Sequence, residues 1–111
     1  QIIDARGPGR FYGEEPEPRS GVRAGHIPGS FNIHYQQVLR AGKFRPADEL
    51  KALFEATGID LSLPVICSCG SGITACIIGM AALICNAASV SVYDGSWAEW
   101  GSDVTRPVET A

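Results

Sequence analysis

Apolar and polar positions along this chain change period several times, and each change marks an element. Ile2-Ile3 ahead of Asp4 reads as the end of a buried strand. Residues 7 to 25, GPGRFYGEEPEPRSGVRAG, show no period and are rich in glycine, proline and charge, which predicts a long loop. A loop of that length in a small domain is commonly functional. HIPGSFNIHY then turns at Pro28-Gly29 and enters a short strand over Phe31 to Ile33. Pro46-Ala47-Asp48 opens a helix running to about Ala56, with Leu50, Leu53 and Phe54 on one face and Gly58 as its stop. Pro64 to Ser68 predicts a buried strand, Thr74 to Cys85 a buried helix, and Ser89 to Tyr93 a further strand. DGSWAEW follows as a loop passing into a helical turn. Strands alternating with helices predict an α/β domain around a mostly parallel sheet, which places ligands at the carboxyl ends of strands. Residues 69 to 74 fall at such an end.

From Leu61 to Tyr93 no residue is charged, which raises the question of a membrane span. Pro64, the glycines at 70 and 72, and Asn86 interrupt the run. Its longest helix-like piece, Ile73 to Cys85, falls short of the roughly 20 residues a bilayer requires. A buried strand, a tight turn and a buried helix account for it instead.

With 111 residues the chain is expected to form one domain. A composition 45% hydrophobic and 19% charged is that of a globular domain. A net charge of −3 gives no reason to expect nucleic acid or an anionic membrane as partner. The opening at Gln1, directly on a buried strand, leads us to expect part of a longer protein.

The four cysteines read as reduced thiols in an intracellular compartment, because a chain this apolar has no need of disulfide staples. Cys67, Cys69 and Cys76 surround the turn Gly70-Ser71-Gly72. Zinc is disfavoured: Cys67 and Cys69 alternate across a strand end, and His26 and His34 lack ligand spacing. A C-x-x-C redox pair is absent. Cys67, Cys76 and Cys85 lie in apolar runs and read as core residues. Cys69 differs. It ends a strand, two glycines let the backbone turn N–H groups inward, and a helix start adds partial positive charge. Such a cradle stabilises an anion, and if the anion is the sulfur itself the thiolate becomes available. A cysteine phosphatase would need arginine six residues on, where Ala75 stands, and no basic residue occurs between Asp60 and Arg106. Sulfur transfer through a persulfide has no such requirement.

These residues resemble the rhodanese family of sulfurtransferases. GHIPGSFNI at 25 to 33 and VYDGSWAEW at 92 to 100 are similar to its two signatures, and CGSGIT at 69 to 74 to its six-residue active loop. The neutral loop, together with residues 4 to 29, most resembles the catalytic C-terminal domain of the members acting on 3-mercaptopyruvate. The resemblance implies a rhodanese-like fold, one catalytic domain over 1–111, and transfer of sulfur from 3-mercaptopyruvate to a thiol acceptor such as thioredoxin, or to cyanide, with release of pyruvate. Thiosulfate as donor, or a non-catalytic interaction module, are the alternatives.

By the same resemblance Cys69 is the nucleophile and persulfide carrier, and Ser71 assists proton transfer. Arg10 and Arg19 hold the substrate carboxylate and carbonyl. Gly70, Gly72, Ile73 and Thr74 supply loop N–H groups. No metal or organic cofactor is implied. An N-terminal rhodanese-like domain, which would complete the serine relay, is implied as a partner, and the compartment as cytoplasmic or mitochondrial. His26 is expected to be structural and His34 a surface residue at a strand end. Trp97 and Trp100 are expected to close the core or face the other domain, and Asp94 to shape its turn. Without the resemblance, Arg10 and Arg19 would read as part of a solvated mixed-charge loop with Glu14, Glu15 and Glu17.

Overall fold

The computed structural model describes residues 1–111. In chain order the elements are β1 (Ile2–Asp4), α1 (Pro8–Phe11), β2 (Phe31–Asn32), a 3-10 turn (Tyr35–Val38), β3 (Leu39–Arg40), β4 (Lys43–Phe44), α2 (Ala47–Thr57), β5 (Val65–Ser68), α3 (Ala75–Ile84), β6 (Val90–Val92) and α4 (Ser96–Trp100). Four strands form one parallel sheet in the order β2-β1-β5-β6. The register sets Ile3 beside Cys67 and Asp4 beside Ser68. Side chains alternate across a strand, so Ile3 and Cys67 face the apolar core while Asp4 and Ser68 face the other layer.

Helices α2 and α3 pack against each other, and α3 lies on β5 and β6. Asp48 and Glu49 occupy the first turn of α2, where they complement the helix dipole. Leu50 and Phe54, one turn apart, are both fully buried. Each contributes about 1.5–3 kcal/mol by leaving water. Gly58 ends the helix at φ +98, a left-handed conformation that costs glycine little.

Three features depart from the expected layout. The loop after β1 contains a short helix, α1, with Pro8 at its start, where a missing N–H costs nothing. Residues 39 to 44 form a hairpin around Ala41 and Gly42, both at positive φ. The third concerns α3, which is not buried all round. It turns Ala75, Ile78, Gly79, Ala81 and Ala82 inward and leaves Met80, Leu83 and Ile84 exposed. Cys76 is on that outer side, so the core role expected of it is incorrect, and Cys85 is only half-buried. At 3.6 residues per turn, a helix apolar on every side must leave one face outside when only one side meets the core. No helix of the chain is long and apolar enough to cross a membrane.

His26 is buried, stacks on Phe11 at 3.7 Å and donates through Nδ1 to the Phe11 carbonyl at 2.7 Å. Its backbone pairs with Glu109, tying the last residues to the turn at 25–29. It is structural, as expected. Trp97 is buried and donates its indole N–H to the Arg23 carbonyl, while half-buried Trp100 donates to that of Pro107.

Candidate active site

Strand β5 delivers Cys69 to the carboxyl edge of the sheet, and the chain reverses through residues 70 to 74 into α3. Gly72 adopts φ +100, which aims its N–H back at the sulfur, and the Gly72 nitrogen lies 2.9 Å from Cys69 Sγ. Only glycine fits at that position. A Cβ there would stand 2.8 Å from the Asp94 carbonyl oxygen. At Gly70 a Cβ would stand 3.0 Å from Arg10 Nη2, so the bare glycine lets the guanidinium lie against the loop.

Cys69 is 1% exposed. Burial pushes its thiol up. Hydrogen bonding from the Thr74 side chain and from the N–H groups of Ala75, Gly72 and Ser71 outweighs burial, and the thiol falls below its ordinary range. Cys67, two residues earlier on the core face, has no such donors; burial and, to a lesser degree, the nearby Cys76 thiol push it up to about 12. The two sulfurs are thus set apart by environment: the surroundings of Cys69 favour its thiolate, and those of Cys67 oppose it.

The loop is fastened from its far side. Ser96 Oγ accepts the Cys69 N–H at 3.1 Å and donates to the Tyr93 carbonyl at 2.7 Å. In the first turn of α4 the N–H groups of Trp97 and Ala98 donate to the carbonyls of Cys69 and Gly70, both at 2.9 Å.

In front of Cys69 lies a cleft of about 600 Å3. Cys69, Gly70, Ser71, Ile73 and Thr74 line it from the loop, and Arg10 and Arg19 from the segment after β1. The structure therefore brings together all the expected residues except Gly72, which lies beneath the loop with its N–H on the sulfur. Ser71 is exposed and Ile73 is 76% exposed. Arg10 donates Nε and Nη2 to the Glu17 carboxylate at 3.2 and 2.8 Å, and that hydrogen bond raises its pKa further and keeps it charged. Arg19 is exposed and makes no ion pair. The solvated mixed-charge loop is thus wrong for Arg10 and Glu17.

Several contributors were not identified from the sequence. Arg6 is buried and lines the cleft. It is clamped on Asp4 at 2.8 Å and lies over the Trp97 ring at 4.8 Å. Its signal was the Asp-x-Arg spacing after a strand. His34, expected as a surface residue, is half-buried and lines the cleft beside Tyr35, because the 3-10 turn it caps folds back over the strand ends. Arg23 lies elsewhere, with its guanidinium donating to carbonyls of Trp100, Gly101, Asp103 and Arg106.

The family described as the rhodanese-like domain matches residues 1–103. The chain belongs to that family. It is 48% identical over 101 residues to mouse 3-mercaptopyruvate sulfurtransferase, covering 90% of this chain and 34% of that protein. Bovine thiosulfate sulfurtransferase is 44% identical over 102 residues, with 90% and 34% covered. The crystal structure of SseA from Escherichia coli, described with the rhodanese fold and catalytic mechanism of 3-mercaptopyruvate sulfotransferases, superposes with a TM-score of 0.73. That match is 41% identical and covers 87% of this chain and 36% of the other. The rhodanese-like chain described here thus spans about a third of the length of the curated relatives it matches.

Proposed function

We propose that this rhodanese-like domain transfers sulfur from 3-mercaptopyruvate through a persulfide on Cys69. The observation that carries the reading is the Gly72 N–H on Cys69 Sγ in a loop without basic side chains, at the floor of a cleft that Arg10 and Arg19 also line. Two arginines suit a 2-oxo carboxylate, since a guanidinium forks onto carboxylate oxygens. The Cys69 thiolate attacks the donor sulfur and forms an S–S bond. The carbon–sulfur bond breaks with its electron pair left on carbon, giving the enolate of pyruvate, which takes a proton. Ser71, at the mouth of the cleft, is the hydroxyl placed to assist that proton transfer. The Thr74 hydroxyl and the N–H groups of Ala75, Gly72 and Ser71, which bond the Cys69 sulfur, stabilise the resulting anionic sulfur, rather than the N–H groups of Ile73 and Thr74. A thiol acceptor such as thioredoxin, or cyanide, then takes the outer sulfur and regenerates the thiolate.

The rest of a longer protein is the proposed partner. Ile73, at the mouth of the cleft, continues into the exposed apolar face of α3, a surface of the kind that other protein covers. In this reading the chain is the catalytic half of a two-domain protein.

Thiosulfate is the second donor to consider, because a relative of almost equal identity carries that name. The neutral loop favours the mercaptopyruvate reading, since a compact dianion gains less there than beside basic side chains. Intact-protein mass spectrometry after exposure to each donor tests the proposal. The mass of one sulfur atom is expected on Cys69, with a higher kcat/KM for 3-mercaptopyruvate. Full sulfur transfer by Cys69→Ser would overturn it.

A further inference from the structure

Glu14 and Glu15 are exposed, but Glu17, set between Pro16 and Pro18, has a side chain only 3% exposed. Its carboxylate accepts from Arg10 through both Nε and Nη2, and from Arg6 Nη1 at 3.3 Å. Arg6 is immobilised in turn by the Asp4 carboxylate, the Gly25 carbonyl at 2.7 Å and the Trp97 ring. Asp4, Arg6, Glu17 and Arg10 thus form a charge-balanced chain running from the central strand to the loop. A carboxylate taken out of water is costly unless it is fully paired, so this one is held in a single geometry. Arg10 Nη1 makes no hydrogen bond within the protein.

We propose that Glu17 is a positioning residue for Arg10. It grips the Nε–Nη2 edge of the guanidinium, so Nη1, which lies against Gly70 in the cleft that Cys69 also lines, is held ready for the carboxylate of the donor. This rests on the reading of Arg10 as a carboxylate-binding residue. It assigns to Glu17 a role opposite to the one its charge suggests. A bare carboxylate near the cleft would repel an anionic donor, whereas a clamp on Arg10 improves its capture.

The opposed signs make the test decisive, and it needs no sulfur transfer. Rates of Cys69 alkylation by iodoacetate, which carries a carboxylate, and by neutral iodoacetamide are compared by peptide mass spectrometry, with exposed Cys76 as internal reference. The wild-type chain is expected to favour iodoacetate at Cys69 relative to Cys76. Glu17→Gln is expected to lower that preference about tenfold, the size of one lost charge-assisted hydrogen bond, with the iodoacetamide rate little changed. A preference that is unchanged or rises overturns the proposal, as does its absence from the wild type. Arg10→Lys keeps the charge but not the fork and is expected to lose the preference as well, with Glu17→Gln adding nothing in that background. An additive loss overturns the coupling. If circular dichroism shows that Glu17→Gln does not fold, Arg10→Lys decides: a preference retained there means that no clamped fork is needed. If the chain favours iodoacetate yet the longer two-domain protein takes no sulfur from 3-mercaptopyruvate, the proposed function is refuted and the role of Glu17 is decided on its own.

Discussion

The nitrogen of Gly72 sits 2.9 Å from Cys69 Sγ, in a backbone turn that leaves no room for a side chain beneath the Asp94 carbonyl. One residue therefore supplies both the bend of the loop and the hydrogen bond on the sulfur. Gly72→Ala must either hold a strained left-handed φ, at about 1–2 kcal/mol, or rotate its N–H away. We expect Cys69 alkylation at neutral pH to fall roughly tenfold, equivalent to one unit of pKa. Thermal melts report the accompanying strain.

Cys69 should alkylate with a pH midpoint below the ordinary thiol range, because N–H groups and the Thr74 hydroxyl favour its thiolate. Burial raises the thiol of Cys85, so Cys85 should lag behind Cys69 at every pH up to the ordinary thiol range. Site-resolved alkylation between pH 5 and 9 checks the order. An identical profile for all four cysteines would remove the case for a loop cradle.

Stability should respond to the two buried thiols with opposite signs. The lowered Cys69 thiol contributes stability that is fully present above the ordinary thiol pKa and is lost as pH falls through the folded value. Cys67 is held neutral to about 12, so above the ordinary thiol pKa the unfolded chain ionises while the folded one does not. Stability then falls by on the order of a few kcal/mol toward pH 12. Cys67→Ala should flatten that alkaline fall while leaving a small cavity at neutral pH. Urea melts at pH 7 and pH 10 measure both.

Ser96 is buried at φ +51 and is the acceptor for the Cys69 N–H. Ser96→Ala leaves that N–H without a partner, and we expect a loss of about 1–3 kcal/mol together with slower Cys69 alkylation. Ser96→Gly suits the backbone but equally lacks the hydroxyl. If Gly restored both stability and reactivity, the hydroxyl would be dispensable and strain alone would matter.

The sequence made the strand, glycine turn and helix around Cys69 legible because each has its own period and the glycines punctuate them. Arg10 and Arg19 were reached only through the family resemblance. Glu17 was hidden because its neighbours Glu14 and Glu15 are solvated, and nothing local marks the one acid whose partners lie seven and eleven residues away. Ser96 was hidden for the same reason at longer range, since its partner lies 27 residues earlier. Cys76 was misjudged because α3 is apolar on all sides, and a pattern without a polar face cannot say which side meets the core.

Exposed Met80 and Leu83 lie on the outer face of α3 and contribute little to the core of this domain. Leu83→Glu should change the melting free energy of the isolated domain by no more than about 0.5 kcal/mol. In a longer protein that covers this face, the same substitution should loosen the contact and lower the common melting temperature. Equal effects in both settings would refute the covered face.

The N–H groups of Trp97 and Ala98 in α4 end on the carbonyls of Cys69 and Gly70, and this changes what the segment after β6 is for. Residues 96 to 98 act as a hasp on Cys69 and Gly70, although they lie well beyond them in the chain. The sheet could close without this segment, but the sulfur would then sit on a loop tethered only at its base. The late tryptophan-containing signature and the early cysteine loop are therefore two parts of one device. A change in either is felt in the aim of the same atom.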